Sequence, residues 1–137
     1  IGDNKNAQTR FLQIGLAKGA APKATGKDKT SVIVELPTDR PGTLLEMLEQ
    51  FAVRGVNLSR IESRPIGDQL GRYRFNIDIE GHIEDAAVAD ALKGLHRFSP
   101  KVIFLGSYAR ADKKKSVHTG NNTNAAFAAA EKWIAKL

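Results

Sequence analysis

The sequence predicts an α+β domain, a four-stranded antiparallel sheet with both helices on one face. Three observations predict it. Residues Arg72 to Glu80 alternate strictly, with Tyr73, Phe75, Ile77 and Ile79 on one side and charged or amide residues on the other; this is a strand with one buried and one wet face. Two segments carry apolar residues at helical spacing: Leu44, Leu45, Leu48, Phe51 and Ala52, then Val88, Leu92 and Leu95. The elements run strand, helix, strand, strand, helix, strand, the split βαβ order.

Taken in order, Gln8 to Leu16 reads as a short strand through Phe11, Leu12, Ile14 and Leu16. Residues 17–30 are rich in Gly, Ala, Lys and Thr and read as a linker. Ser31 to Pro37 alternates through Val32, Val34 and Leu36 and is expected to be a strand. Asp39 is placed to cap the first helix, Pro41 suits its first turn and Gly55 its C-terminal end. Asn57 to Pro65 is a second strand whose alternation breaks between Leu58 and Ile61, as at a bulge. Ile66 to Gly71 reads as a hairpin connection. Glu84 to His96 is a second helix, with acidic residues in its first turn. Ser99-Pro100 ends it, and Val102 to Tyr108 is the fourth strand. A polar linker then leads to a short Ala-rich helix within Asn121 to Leu137, capped by Asn121, Asn122 or Thr123 and striped by Phe127, Ala130, Ile134 and Leu137.

The 137 residues suffice for one domain with a core. With no cysteine, disulfides and thiolate metal sites are excluded. No secretion signal or membrane-length apolar run is present, so a cytoplasmic location is expected, with no membrane partner. The chain starts at Ile1 and its one methionine is Met47, which suggests a fragment or processed product. The net charge of +6 resides in the tails: residues 1–30 and 110–137 each carry +4, and residues 31–109 carry −2. That distribution argues against a nucleic-acid partner; Lys113-Lys114-Lys115 lacks the interleaved aromatics of single-strand binders.

Two places can hold an amino acid. The turn at Pro41-Gly42 leads into a helix start, where free N–H groups and partial positive charge suit a carboxylate, and Gly42 allows close backbone approach. Local sequence alone favours an ordinary strand-to-helix turn. The stretch Asn57-Leu58-Ser59-Arg60-Ile61-Glu62-Ser63-Arg64-Pro65 offers polar contacts from Asn57 and Ser63, with Leu44, Leu45 and Leu58 available to line an apolar slot. The competing reading is an edge strand carrying charges that discourage aggregation. His82, His96 and His118 lack metal-ligand spacing and read as structural or surface residues. Asn57-Leu58-Ser59 and Asn121-Asn122-Thr123 match the glycosylation pattern by chance. No cofactor motif is present, and none is expected.

Gly42-Thr43-Leu44-Leu45 resembles the Gly-Ala-Leu-Val motif, and Glu62-Ser63-Arg64-Pro65 matches the Glu-Ser-Arg-Pro motif, of the regulatory domain of prephenate dehydratases. Residues 31–109 are similar to an ACT domain, with its ferredoxin-like βαββαβ fold. Thr9-Arg10-Phe11 resembles the signature near the end of the catalytic domain in that family. The resemblance implies a phenylalanine site at a homodimer interface, or in a tetramer built from it. Its residues would be Gly42, Thr43, Leu44, Leu45, Asn57, Leu58, Glu62, Ser63, Arg64 and Pro65. It further implies that Thr9, beside Arg10 and Phe11, takes the position of the family's essential threonine. That threonine helps the leaving hydroxyl depart as prephenate loses carbon dioxide and becomes phenylpyruvate. The resemblance divides the chain into the last catalytic strand (1–16), a linker (17–30), the ACT domain (31–109) and a tail (110–137). The parent would be a cofactor-free lyase, and this part alone would bind phenylalanine without turning over prephenate. A stand-alone amino-acid-binding or assembly module is the alternative. A nucleic-acid binder using the basic tails is weaker still.

Overall fold

A computed structural model describes residues 5–16, 18–19, 21–37, 40–67 and 72–137. The hairpin tip at 68–71 and the expected cap Asp39 lie outside the described residues. The domain contains β1 (Asp28–Glu35), α1 (Thr43–Ala52), β2 (Leu58–Pro65), β3 (Tyr73–Glu80), α2 (Ala86–Phe98) and β4 (Lys101–Ala109). A 3-10 turn at Gly120–Asn122 and α3 (Asn124–Ile134) follow. The sheet order is β2-β3-β1-β4, with each adjacent pair antiparallel. The predicted α+β fold therefore holds.

Alternation decides which residues meet the helices. Val32 and Val34 of β1 and Phe75, Ile77 and Ile79 of β3 form the core with Met47, Phe51, Ala87, Val88, Ala91 and Leu95. Each large side chain buried there contributes about 1.5–3 kcal/mol. Tyr73 shares the parity of Phe75 but sits at the strand's end and is 44% exposed. β1 starts at Asp28, three residues before the expected Ser31. The Asp28 carboxylate accepts from the N–H groups of Thr25 and Gly26 and from the Thr25 hydroxyl, which extends the ordered ladder. The predicted irregularity in β2 is a register shift between Leu58 and Arg60. A second shift, between Ser31 and Val32, leaves Leu105 of β4 without a partner across the ladder.

The helix ends refine the sequence reading. α1 starts at Thr43, with Gly42 as N-cap, so Pro41 precedes the helix rather than occupying its first turn. Gly55, at φ 62°, closes α1 as expected: its N–H reaches Ala52 O and that of Val56 reaches Phe51 O, the paired bonds of a Schellman end. In α2 the acidic residues precede the first turn. Asp85 is the N-cap, and its carboxylate accepts from the His82 N–H rather than from the helix.

The strand expected at residues 8–16 does not form. The segment is irregular, and Phe11, Leu12, Ile14 and Leu16 are 62–91% exposed. Apolar spacing alone makes no strand where no ladder is offered. The tail helix does form, and it docks on its own domain. Thr123 caps it through the Ala126 N–H, Asn124 Oδ1 accepts from the Ala86 N–H, and Phe127 packs against the core. Asn122 sits so close to Gly55 that a side chain there would collide with it. Replacing Phe127 by Ala is expected to lower stability by about 1–2 kcal/mol in urea unfolding, since the ring is only partly buried. Trp133→Ala, on the exposed half of α3, is expected to stay within about 0.5 kcal/mol.

Candidate functional site

The structure sorts the candidate residues by sheet end and by face. β1 and β2 run in the same direction, each antiparallel to β3. The chain leaves the end of β1, where the Leu36 N–H bonds Tyr73 O, and enters α1 near the Pro65 end of β2, since Pro65 is paired with Tyr73. Gly42, Thr43, Leu44 and Leu45 thus share one end of the domain with Ser63, Arg64 and Pro65. Asn57 and Leu58 lie at the other end, where α1 finishes. From Leu58 to Pro65 a strand spans roughly 23 Å at about 3.3 Å per residue. The two groups therefore belong to opposite ends of a single chain.

Face divides them further. Across the β2–β3 ladder, Leu58, Ile61 and Ser63 stand opposite Ile79, Ile77 and Phe75, on the helix side. Arg60, Glu62 and Arg64 stand opposite Asp78, Asn76 and Arg74, on the bare side. There Glu62 bridges its neighbours: Arg64 donates to it at 2.7 Å, and Arg60 donates to its other oxygen. Of the Glu-Ser-Arg-Pro stretch, Ser63 and Pro65 share the face of the helices, while Glu62 and Arg64 form an ion-paired row behind it.

At the start of α1, Gly42 adopts φ 87°, a left-handed conformation that disfavours any side chain. A Cβ there would meet nothing within 4 Å, so the backbone is open to approach. Among the described residues no side chain caps this helix. Leu44 and Leu45 are 42% and 60% exposed beside it. An uncapped helix start flanked by exposed leucines offers N–H donors for a carboxylate next to apolar surface. Thr43 contributes differently from its neighbours. It is buried, and its hydroxyl donates to Arg40 O at 3.0 Å, so it secures the turn.

At the opposite end, Asn57 donates from Nδ2 to Glu80 at 2.9 Å, and Asn57 O accepts from the Glu80 N–H. The buried Arg110 reaches the same carboxylate at 3.1 Å and pairs also with Asp112. The hydrogen bond from Asn57, followed by Arg110, holds the Glu80 carboxyl below its ordinary 4.5. Asp112 is likewise held low by Arg110 and by the Lys114 N–H.

Of the signature residues, Thr9 and Phe11 are exposed. Arg10 crosses the bare face of the sheet to reach Asp78 at 2.6 Å. Sequence reasoning missed both this contact and Asp78 itself, because the alternation of β3 assigns Asp78 to a wet face. His82 is buried and structural: it donates from Nε2 to Pro22 O and accepts the Glu84 N–H at Nδ1. His118 lies 3.4 Å from Asp85. No group of acidic or histidine side chains among the described residues is arranged to hold a metal, and no described helix is long and apolar enough to cross a membrane. A shallow depression on α2, lined by Asp90, Lys93, His96 and Arg97, shares no residue with either end of the candidate site.

Comparison with known proteins identifies the relatives of this fold. Residues 30–97 match the ACT domain family. Over all 137 residues the chain is 42% identical to the prephenate dehydratase of Amycolatopsis methanolica, covering 45% of that protein. It is 51% identical over 108 residues, 79% of this chain, to that of Mycobacterium marinum, covering 34% of it. A solved structure of the Arthrobacter aurescens prephenate dehydratase in complex with L-Phe superposes with a TM-score of 0.81 at 60% identity. It covers 86% of this chain and 39% of that one. The chain thus spans less than half the length of these relatives.

Two outcomes follow for this site. Because the Glu80 carboxyl is held low in the folded state, its stabilisation is complete above about pH 4.5 and is lost as pH falls through the lowered value. Glu80→Gln is expected to reduce the acid dependence of stability in that range, read from urea midpoints between pH 3 and 6. Thr43→Ala is expected to cost about 1 kcal/mol through the lost bond to Arg40 O, read from urea unfolding.

Proposed function

This chain carries an ACT domain and belongs with the C-terminal part of the prephenate dehydratases, and from that premise we propose that it is the phenylalanine-sensing, feedback-inhibitory part of such an enzyme. The observation that carries this reading is the uncapped start of α1 at Gly42 beside exposed Leu44 and Leu45. It provides donors for an amino acid's carboxylate and apolar surface for its side chain. The L-Phe complex of a relative 60% identical to this chain supports phenylalanine as that amino acid.

Each site takes the Gly42–Leu45 end of one chain and the Asn57–Leu58 end of a second. A twofold axis that sets two sheets antiparallel places each end against the opposite end of its mate. Asn57 O and the Asn57–Glu80 carboxylate pair then lie where an ammonium group requires acceptors. This gives the homodimer a physical role: one chain holds two half-sites and no complete one. The parent enzyme, acting in the cytoplasm, converts prephenate to phenylpyruvate, water and carbon dioxide. Thr9 assists departure of the hydroxyl, with Arg10 and Phe11 beside it. The 137-residue chain itself binds phenylalanine without turning over prephenate, because positioning of substrate requires the rest of the cleft. Inhibition follows by linkage: phenylalanine favours one dimer arrangement over another with a coupling of about 1–3 kcal/mol.

Titration calorimetry of the chain with phenylalanine, tyrosine and tryptophan, alongside its mass in solution, tests the proposal. One phenylalanine per chain on a dimer is expected, with the other two weaker. A dimer that binds none of the three overturns it.

A further inference from the structure

The bare face of the sheet contains an acidic residue whose burial the two end sites do not explain. Asp78, in the middle of β3, is 3% exposed. Its carboxylate accepts from the Ser31 hydroxyl at 2.7 Å and meets Arg10 at 2.6 Å. The Ser31 and Tyr108 hydroxyls lie 2.7 Å apart, and Arg10 also donates to Tyr108 at 3.4 Å. One side chain from the N-terminal segment thus spans from β3 to β4, touching Asp78 and Tyr108, while Ser31 of β1 between them bonds both of those residues. The guanidinium is itself influenced, its basicity raised chiefly by the bond to Asp78. That segment is irregular and its apolar side chains are exposed, and Arg10 fastens it to the bare face of the sheet.

We propose that the Arg10–Asp78 contact is a latch that positions the Thr9 segment according to whether the amino-acid site is occupied. Asp78 is paired in register with Arg60 of β2, on the same face. Arg60 in turn pairs with Glu62, and Glu62 with Arg64. The charged row behind Ser63 therefore leads, one strand over, to the carboxylate that holds Arg10. A buried carboxylate tolerates loss of its cation poorly, so the latch has two discrete states, fastened or released with water entering. A shift of β2 on ligand binding changes the balance between them. By reciprocity, fastening the latch changes ligand affinity by the same factor. Arg10 is here a positioning residue, acting through Asp78 on its neighbour Thr9. This coupling rests on the phenylalanine reading above; the latch itself does not.

The absence of native cysteine makes a direct test clean. A nitroxide label at Gln13→Cys on the full 137-residue chain is expected to broaden the amide signals of residues 76–78 and 106–108. Arg10→Gln is expected to abolish that broadening and Arg10→Lys to restore part of it. Phenylalanine affinity of the Arg10→Gln chain is expected to differ from that of the parent chain by roughly fivefold or more, with Arg10→Lys between. Broadening that survives Arg10→Gln overturns the latch, whatever the ligand does. Broadening that is lost while phenylalanine affinity stays the same overturns the coupling. If the unmutated chain binds no phenylalanine, the sensing proposal and the coupling both fail, and the broadening still decides whether the latch exists.

Discussion

Everything in this domain depends on the alternation of β1 between its two neighbours. It is bonded to β3 on one side and β4 on the other, so its register fixes theirs. Because side chains alternate with a period of two, a slip by one residue would turn Val32 and Val34 out of the core and Ser31 into it. Locks at the head of the strand prevent that slip. The Thr30 hydroxyl donates to Gly81 O at 2.8 Å and lies 2.7 Å from the Ser107 hydroxyl, while Asp28 ties down the turn before it. The same constraint gives each face its work. The helix side becomes a packed core, and the other side becomes a polar surface on which Asp78 and Ser31 meet.

This arrangement separates three tasks in space. The start of α1 and the tail of β2 lie at one end of the sheet, and Asn57 with Glu80 and Arg110 at the other. The N-terminal segment is fastened to the middle of the bare face. In the function proposed above, a sensing site divided between sheet ends responds to how two chains sit together. A site enclosed within one chain would report only occupancy. The exposed leucines at the start of α1 and the glycine in a left-handed conformation fit a surface that awaits completion. Gly42 is present for its backbone angle, and its lack of a side chain leaves the approach open as well.

Much of this was legible from residues. β3 and the apolar stripe of α2 were plain, because one face of each is buried. In α1 only Phe51 of the expected stripe is fully buried: the helix turns Thr43 and Met47 inward with it, and Leu44, Leu45 and Ala52 stay exposed. Gly55 was readable as a helix end because a left-handed position after an apolar run favours glycine. The bulge in β2 showed in the broken spacing of Leu58 and Ile61. The failures share a cause. Phe11, Leu12, Ile14 and Leu16 have the composition of a strand, but strand formation requires a partner, which composition does not reveal. Docking of α3 depends on Asn122 against Gly55 and on Asn124 at the start of α2, contacts between residues far apart in sequence. Asp78 was misjudged as a wet residue because its burial comes from side chains on β1, β4 and the N-terminal segment. In the candidate site the residue types were readable, but not their division. Only the register of β2 against β3 shows that Ser63 and Glu62 point to opposite faces.

The central claim is that one phenylalanine site is built from opposite ends of two chains. Subunit mixing tests it most directly. Leu45→Glu disables the half-site at the start of α1, and Asn57→Ala disables the half-site at the start of β2. Each homodimer is expected to have lost phenylalanine binding. After subunit exchange in an equal mixture, about a quarter of the sites should be intact, since half the dimers are mixed and each of those contains one site assembled from two unaltered halves. Recovery of binding to that level is the predicted result. A mixture that exchanges subunits and still binds nothing would contradict the account, because it would place both halves of the site in the same chain.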